Sequence, residues 1–198
     1  MAADLKSELA KVYPLHAAFA GKAKHPPYCD LAISECYKRF CTELAGKEFR
    51  DPRGKSVVIH EDNFPKLLGM KLADPQTGQP MIDPNSGKQR KAKANRVLAE
   101  LKTGKFVDAA YTVEIGRVRT LFWVPDVITD PHAIHPNAHP VVAGDEVYVK
   151  RYDKNGSEVK LVVMGPSENR GRVIITSFLT DISDLGNYIK EAAIWTKK

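Results

Sequence analysis

His60 closes the β-branched run Val57-Val58-Ile59 and precedes Glu61. An imidazole there titrates near neutral pH and can act as general base or acid; a solvated loop histidine is the plainer alternative. Arg117 and Arg119 lie two apart after Gly116. Two guanidinium forks so placed can clamp a phosphate or serve as helix-surface charge. Lys150 stands between Tyr148 and Tyr152 at alternating strand positions, so all three share a face. A cation between rings is what a polyanion-binding sheet needs, charge for phosphate and rings for base stacking, against which stands a solvated face with aromatic cross-strand packing. On the first reading Lys150 supplies charge, and Tyr152 stacks or donates a proton.

Other reactive side chains carry weaker patterns. His132, His135 and His139 invite a metal reading, but Pro136 breaks helical spacing and no carboxylate joins at a ligand-like offset, so no metal is expected. Cys29, Cys36 and Cys41 are odd in number and show no metal spacing, which favours small buried thiols over disulfides. Phosphate-cradling glycine loops, the nucleophile elbow and the His-Glu-x-x-His zinc pattern are all absent. Nucleotide-driven, dinucleotide, hydrolase and zinc-protease chemistries fall away, and no cofactor is implied.

The elements that must position these groups belong to an ordinary globular chain. Its 198 residues, 43% apolar and 27% charged, suffice to bury about 70% of the unfolded surface. No apolar run approaches the ~20 residues that span a bilayer, and residues 1–11 lack the apolar core of a secretory signal, so a cytoplasmic protein without a membrane partner is expected. Thirty Lys plus Arg against 24 Asp plus Glu give a net charge of +6, which favours an anionic partner, nucleic acid being the commonest.

Residues 2–20 and 30–45 have apolar side chains at helical spacing, separated by His25-Pro26-Pro27. Such a pair can form a dimer surface. The charged stretch 47–55, with Asp51-Pro52-Arg53-Gly54, marks a domain boundary near Arg50, leaving a helical region 1–50 and an α+β domain 51–198. Within the latter, residues 56–59 read as a strand, 62–68 as a short helix with Pro65 in its first turn, and 74–93 as a long surface excursion or hairpin. A short helix over 95–102 and a strand or turn over 106–115 follow. Residues 116–127 have mixed spacing compatible with one or two small helices, and 130–140 read as a loop. A β-hairpin over 147–152 and 158–164, turning at Asn155-Gly156, leads into a third strand over 172–178, with a closing helix over 185–195.

The order of these parts resembles a known family. His60 with the helix Phe64-Pro65-Lys66-Leu67-Leu68, the segment from Arg117-Val118-Arg119 through Phe122-Trp123-Val124-Pro125 to Ile134, the Tyr148 hairpin and Ile174-Ile175-Thr176-Ser177-Phe178 are similar to the phage-associated branch of the barnase/EndoU/colicin/RelE-like nucleases. The similarity spans residues 56–181. It implies helices packed on a small antiparallel sheet of four or five strands, and metal-free RNA cleavage by 2′-OH attack on the adjacent phosphate, with proton transfer and charge stabilisation by the site. It further implies His60 as acid or base, Arg117 as phosphate ligand, Thr176 and Ser177 as donors to phosphate, and Lys66 in place of a second histidine. A toxin-like prophage protein with an inhibitor partner is the corresponding role. A silent relative that only binds nucleic acid or a virion partner is the alternative.

Overall fold

The computed structural model describes residues 32–138, 140, 143–151, 158–167 and 171–197. Helix α1, Ile33–Glu43, buries Cys36, Tyr37 and Phe40 on one face, and its first N–H donates to Asp108 Oδ1 at 2.7 Å. Burial pushes the Cys36 thiol up to about 11, which leaves it an inert packing group. Strands β1 (Glu48–Arg50) and β2 (Ser56–Val58) pair antiparallel around the turn at Asp51, whose Oδ1 accepts the Arg53 and Lys55 N–H groups. A 3₁₀ turn, Glu61–Asn63, leads into the single-turn helix α2, Phe64–Leu67, with Pro65 in its first turn as the sequence predicts.

The other elements are β3 (Lys71–Leu72), α3 (Ala94–Lys102), β4 (Tyr111–Thr112), α4 (Ile115–Arg119), α5 (Val124–Thr129), β5 (Ala133–Pro136), β6 (Glu146–Arg151), β7 (Glu158–Ser167), β8 (Gly171–Asp181) and β9 (Trp195–Thr196). Among the described residues, seven strands make one sheet in the order β1-β2-β8-β7-β6-β5-β9, while β3 and β4 form a separate pair. All neighbours in the large sheet are antiparallel except β2 and β8, which meet at one register position, Val57↔Arg172. Mixed α+β architecture is therefore observed, with a wider sheet than the resemblance implies.

Both faces of this sheet are covered. The helices lie on one, where Phe40, Phe64, Val97, Val118 and Val127 pack with Tyr148, Val162 and Ile174. On the other, Val147, Val149, Leu161 and Val163 pack beneath Leu185 and Ile189. Double coverage explains why Leu161-Val162-Val163-Met164 is a continuous apolar run rather than an alternating one.

Several expectations need correction. The stretch 47–55 is not a domain boundary among the described residues: it is the β1–β2 hairpin at the sheet edge. The Tyr37 and Phe40 rings lie 5.2 Å from that of Phe64, so α1 shares the core of the domain that follows. The expected helix over 2–20 and the dimer surface built on it lie outside the described residues. The His-Pro loop 130–140 contains β5, because Ala133 and Ile134 fill opposite cores while pairing with β6 and β9. The closing helix is only a 3₁₀ segment, Ile182–Asn187; beyond it the chain is captured as β9, with Ile194 N–H donating to Ile134 O. The hairpin and third strand are present, with β7 and β8 longer than expected, but the turn residues 152–157 lie outside the described residues.

Candidate anion-binding cleft

Because β2 meets β8 only at Arg172, the edge of β8 beyond it is left to helices. Asn63 Nδ2 bonds the Ile174 carbonyl at 3.2 Å, and Arg117 Nη1 donates to Thr176 Oγ1 at 2.8 Å. Between these residues the register slips: Met164 faces Ile174 while Val163 faces Thr176, so Ile175 is an extra, bulged residue. The bulge breaks the simple alternation expected for this strand and turns Ile175 and Thr176 toward a cleft of about 500 Å³ between β8, α2, β3 and α4.

Among the described residues, four cations line this cleft, Lys66, Lys71, Lys91 and Arg117, against one carboxylate, Glu114. Glu114 bonds Arg117 Nε at 2.5 Å and Lys71 Nζ at 3.5 Å. Lys71 and Lys91 are directly opposite on adjacent extended segments, a like-charge juxtaposition that an incoming anion relieves. The Lys66 and Lys91 side chains carry no ion pair among the described residues. Arg117 is held from several sides, by Glu114, Thr176, the Lys66 carbonyl at 3.3 Å and the Phe178 ring 5.6 Å from Cζ. Its Nη2 has no partner among the described residues. This is a preorganised guanidinium with one donor edge free, the arrangement that binds a phosphate oxygen without reorganising. Thr176 Oγ1 accepts from Arg117, which directs its own proton elsewhere.

Helix α4, which carries Arg117, is secured from below. Lys160 Nζ donates to Thr120 Oγ1 at 2.7 Å, and Thr120 Oγ1 donates to the Gly116 carbonyl at 2.7 Å. Gly69 supplies the close approach on the other side. Its φ is +63°, and a Cβ there would lie 2.8 Å from Glu114 Cδ and 3.1 Å from Arg117 Cδ. Gly69→Ala is expected to cost about 1–2 kcal/mol through backbone strain and to push the Glu114–Arg117 pair apart. Urea unfolding measures the first effect, and an unchanged midpoint would show that the turn relaxes freely.

Of the residues singled out in the sequence, Lys66, Arg117 and Thr176 meet in this cleft. The others do not line it. Lys150 is fully buried and bonds Asp130 at 2.9 Å and Asp126 at 3.2 Å. With Tyr148 it lies beneath the helices, so the expected exposed basic sheet face is core: the apolar surface of α5 covers it. Ser177 pairs with Val162 on that same inner face, and its hydroxyl is buried with no partner among the described residues. His60 stands ahead of the Glu61–Asn63 turn, where its N–H bonds Asn63 Oδ1 at 2.9 Å and its Nε2 is buried without a partner among the described residues. Arg119 lies in α4 with Arg117. Tyr152 lies outside the described residues. Of the three histidines weighed as metal ligands, His132 and His135 are buried, His135 Nδ1 meeting the Glu191 carbonyl at 3.1 Å, while His139 lies outside the described residues. Burial lowers the His135 imidazole despite that carbonyl.

Lys71, Lys91, Gly69 and Glu114 were not distinguished by sequence pattern. Lys91 sits in the cationic run Lys88-Gln89-Arg90-Lys91-Ala92-Lys93, a local signal that could have found it. No protein-family model, curated protein or solved structure matches the chain.

Proposed function

We propose that the chain binds RNA, with a backbone phosphate seated in the cleft on Arg117, Lys66 and Lys91. The observation that carries this reading is the convergence of three lysines around a guanidinium whose outer edge meets no partner among the described residues. Electrostatic attraction to the phosphate backbone supplies most of the affinity of such sites and makes it steeply salt-dependent. The net charge of +6 and the resemblance to RNA-cleaving proteins agree with it.

Metal-independent cleavage is the second reading, favoured by Glu114, a carboxylate set among the cations that would hold the phosphate. In that reaction the 2′-OH proton passes to Glu114 as the O2′–P bond forms. Arg117 stabilises the added charge, and the departing O5′ takes a proton from Lys66 as the P–O5′ bond breaks. The acid–base role that the resemblance gives to His60, and the charge that the sheet-face reading gives to Lys150, move to cleft residues in this version. Helices on one face of a mainly antiparallel sheet support the nuclease-like architecture, and a toxin role with an inhibitor protein belongs to it. Binding ranks first because His60 and Lys150 stand apart from the cleft.

Arg117→Ala should weaken RNA binding at least tenfold, as expected for losing one charge-assisted contact of about 1.5–3 kcal/mol. Fluorescence anisotropy with labelled RNA measures it. Wild-type protein that fails to bind at low salt, or an Arg117→Ala variant of equal affinity, overturns the assignment. Incubation in EDTA then separates the readings: fragments ending in 2′,3′-cyclic phosphate, lost in Glu114→Gln, establish cleavage, and intact RNA leaves binding alone.

A further inference from the structure

Residues 71–93 form an arm beside the cleft whose construction repeats every nine residues. Asp74-Pro75-Gln76-Thr77-Gly78 is followed by Asp83-Pro84-Asn85-Ser86-Gly87. In each turn the aspartate Oδ1 accepts two backbone N–H groups at 2.9 Å, and its carbonyl accepts the glycine N–H. The three extended passes between and beside the turns bond one another in a ring: Leu72 N–H to Arg90 O at 2.8 Å, Arg90 N–H to Met81 O at 2.9 Å, and Met81 N–H to Leu72 O at 3.1 Å. Gln89 Nε2 ties the arm to the β3–β4 pair through Leu72 O and Thr112 Oγ1. Backbone bonds thus fix the arm; Ala73 is buried and Leu72 and Ala92 pack on the core, while the side chains of Met81, Ile82, Lys88 and Arg90 are exposed.

Those side chains are of two kinds. Lys88, Arg90, Lys91 and Lys93 are exposed cations with no acid among them, while the two aspartates of the turns are occupied by backbone N–H groups. Met81 and Ile82 are 38% and 51% exposed, and Met81 is the cross-strand neighbour of Arg90. Apolar surface beside cations suits a polymer that presents flat unstacked bases along with its phosphates. An RNA duplex presents phosphates and 2′-hydroxyls but keeps its bases stacked inside, so it would leave Met81 and Ile82 without a partner.

Building on the RNA-binding reading of the cleft, we propose that this arm extends the site and selects single-stranded RNA, with bases packed on Met81 and Ile82 and flanking phosphates held by Lys88 and Arg90. Lys91, which lines the cleft, joins the two halves.

The test is anisotropy with the full chain and three labelled probes: a 12-nucleotide oligouridine, a 12-base-pair RNA duplex and a uridine trinucleotide long enough for the cleft alone. Wild type should bind the 12-mer at least fivefold tighter than the duplex. Met81→Ser with Ile82→Ser should weaken the 12-mer at least threefold and leave the trinucleotide unchanged. Lys88→Ala with Arg90→Ala should reduce the slope of log affinity against log salt by about 1.4 for the 12-mer. All four positions are exposed, and far-ultraviolet circular dichroism verifies that the variants fold. Arm variants that match wild type on the 12-mer, or a duplex bound as tightly as the single strand, overturn the proposal while leaving the cleft intact. Failure of the underlying reading looks different: Arg117→Ala then leaves every probe unaffected.

Discussion

Arg53→Ala should lower the free energy of unfolding by about 3–5 kcal/mol, the cost of leaving buried charges without their partner. The Arg53 guanidinium bridges the β1–β2 hairpin to β6. It bonds Asp51 Oδ2 at 2.6 Å, Glu146 Oε2 at 2.7 Å and the Tyr148 hydroxyl at 2.6 Å, with Cζ 5.6 Å from the centre of the Tyr148 ring. Tyr148 donates in turn to Asp51, whose side chain is fully buried. Burial alone would raise the Asp51 carboxyl, but bonds from Tyr148, Arg53 and the Lys55 N–H hold it below its ordinary 3.8. Its contribution is therefore present above pH 3.8 and is lost as pH falls through the lower folded value. Removal of Arg53 takes the guanidinium from both carboxylates: among the described residues Asp51 keeps only neutral donors, Tyr148 and backbone N–H groups, and Glu146 keeps the half-exposed Lys55 at 3.4 Å among its partners. Urea unfolding at pH 7 measures the loss, and a change below about 1 kcal/mol would show the network to be dispensable. Arg53→Lys should recover only part of the stability, since an ammonium cannot span two carboxylates and a phenol in one plane.

Lys160→Met should have the opposite sign. Lys150 and Lys160 are cross-strand partners, both fully buried, and they resolve their repulsion differently. Lys150 has Asp126 and Asp130. Among the described residues Lys160 has only the Thr120 hydroxyl, and burial, reinforced by Arg117, holds its amine well below the ordinary 10.5. The unfolded chain takes up a proton at this position below pH 10.5 while the folded chain does not. Stability is consequently greatest above pH 10.5 and falls by about 1.4 kcal/mol per pH unit as pH drops toward the folded value. Methionine fills similar volume without that penalty, so the variant should be more stable at pH 7 and converge with wild type near pH 10.5. Parallel stability curves from pH 7 to 10 would show that the amine is charged in the fold. Because Thr120 still donates to Gly116, helix α4 should remain in place in the variant.

Local signals announced much of this architecture. Pro65 in a first turn, the two strands of the hairpin and the β-branched run at Val57 are each written in a few adjacent residues and appear where expected. What could not be read was which faces meet. Tyr148, Lys150 and Ser177 alternate as an exposed polar face would, yet that face is inside, because its lysines are satisfied by Asp126, Asp130 and Thr120 from helices distant in sequence. Likewise, the bulge that turns Thr176 outward depends on its pairing with Val163 and leaves no mark in its own residues. Lys66, Arg117 and Thr176 were gathered by resemblance; Lys71 and Glu114 join them only through folding. The nine-residue repeat of the arm was visible in the sequence, but it is shorter than the periods by which repeat architectures are usually sought.

The solitary parallel pairing of Val57 with Arg172 has a kinetic consequence. These two positions are separated by more than a hundred residues, so a long loop must close before the sheet can take its final order. During synthesis the β1–β2 hairpin is available early but must wait for β8 to emerge, and the wall of the cleft that Ile175 and Thr176 provide arrives with that same strand. A nascent or C-terminally truncated chain can hold Lys66 and Arg117 and still lack the site. Competence for the proposed RNA binding should therefore appear late, together with completion of the sheet, rather than build up gradually as the chain lengthens.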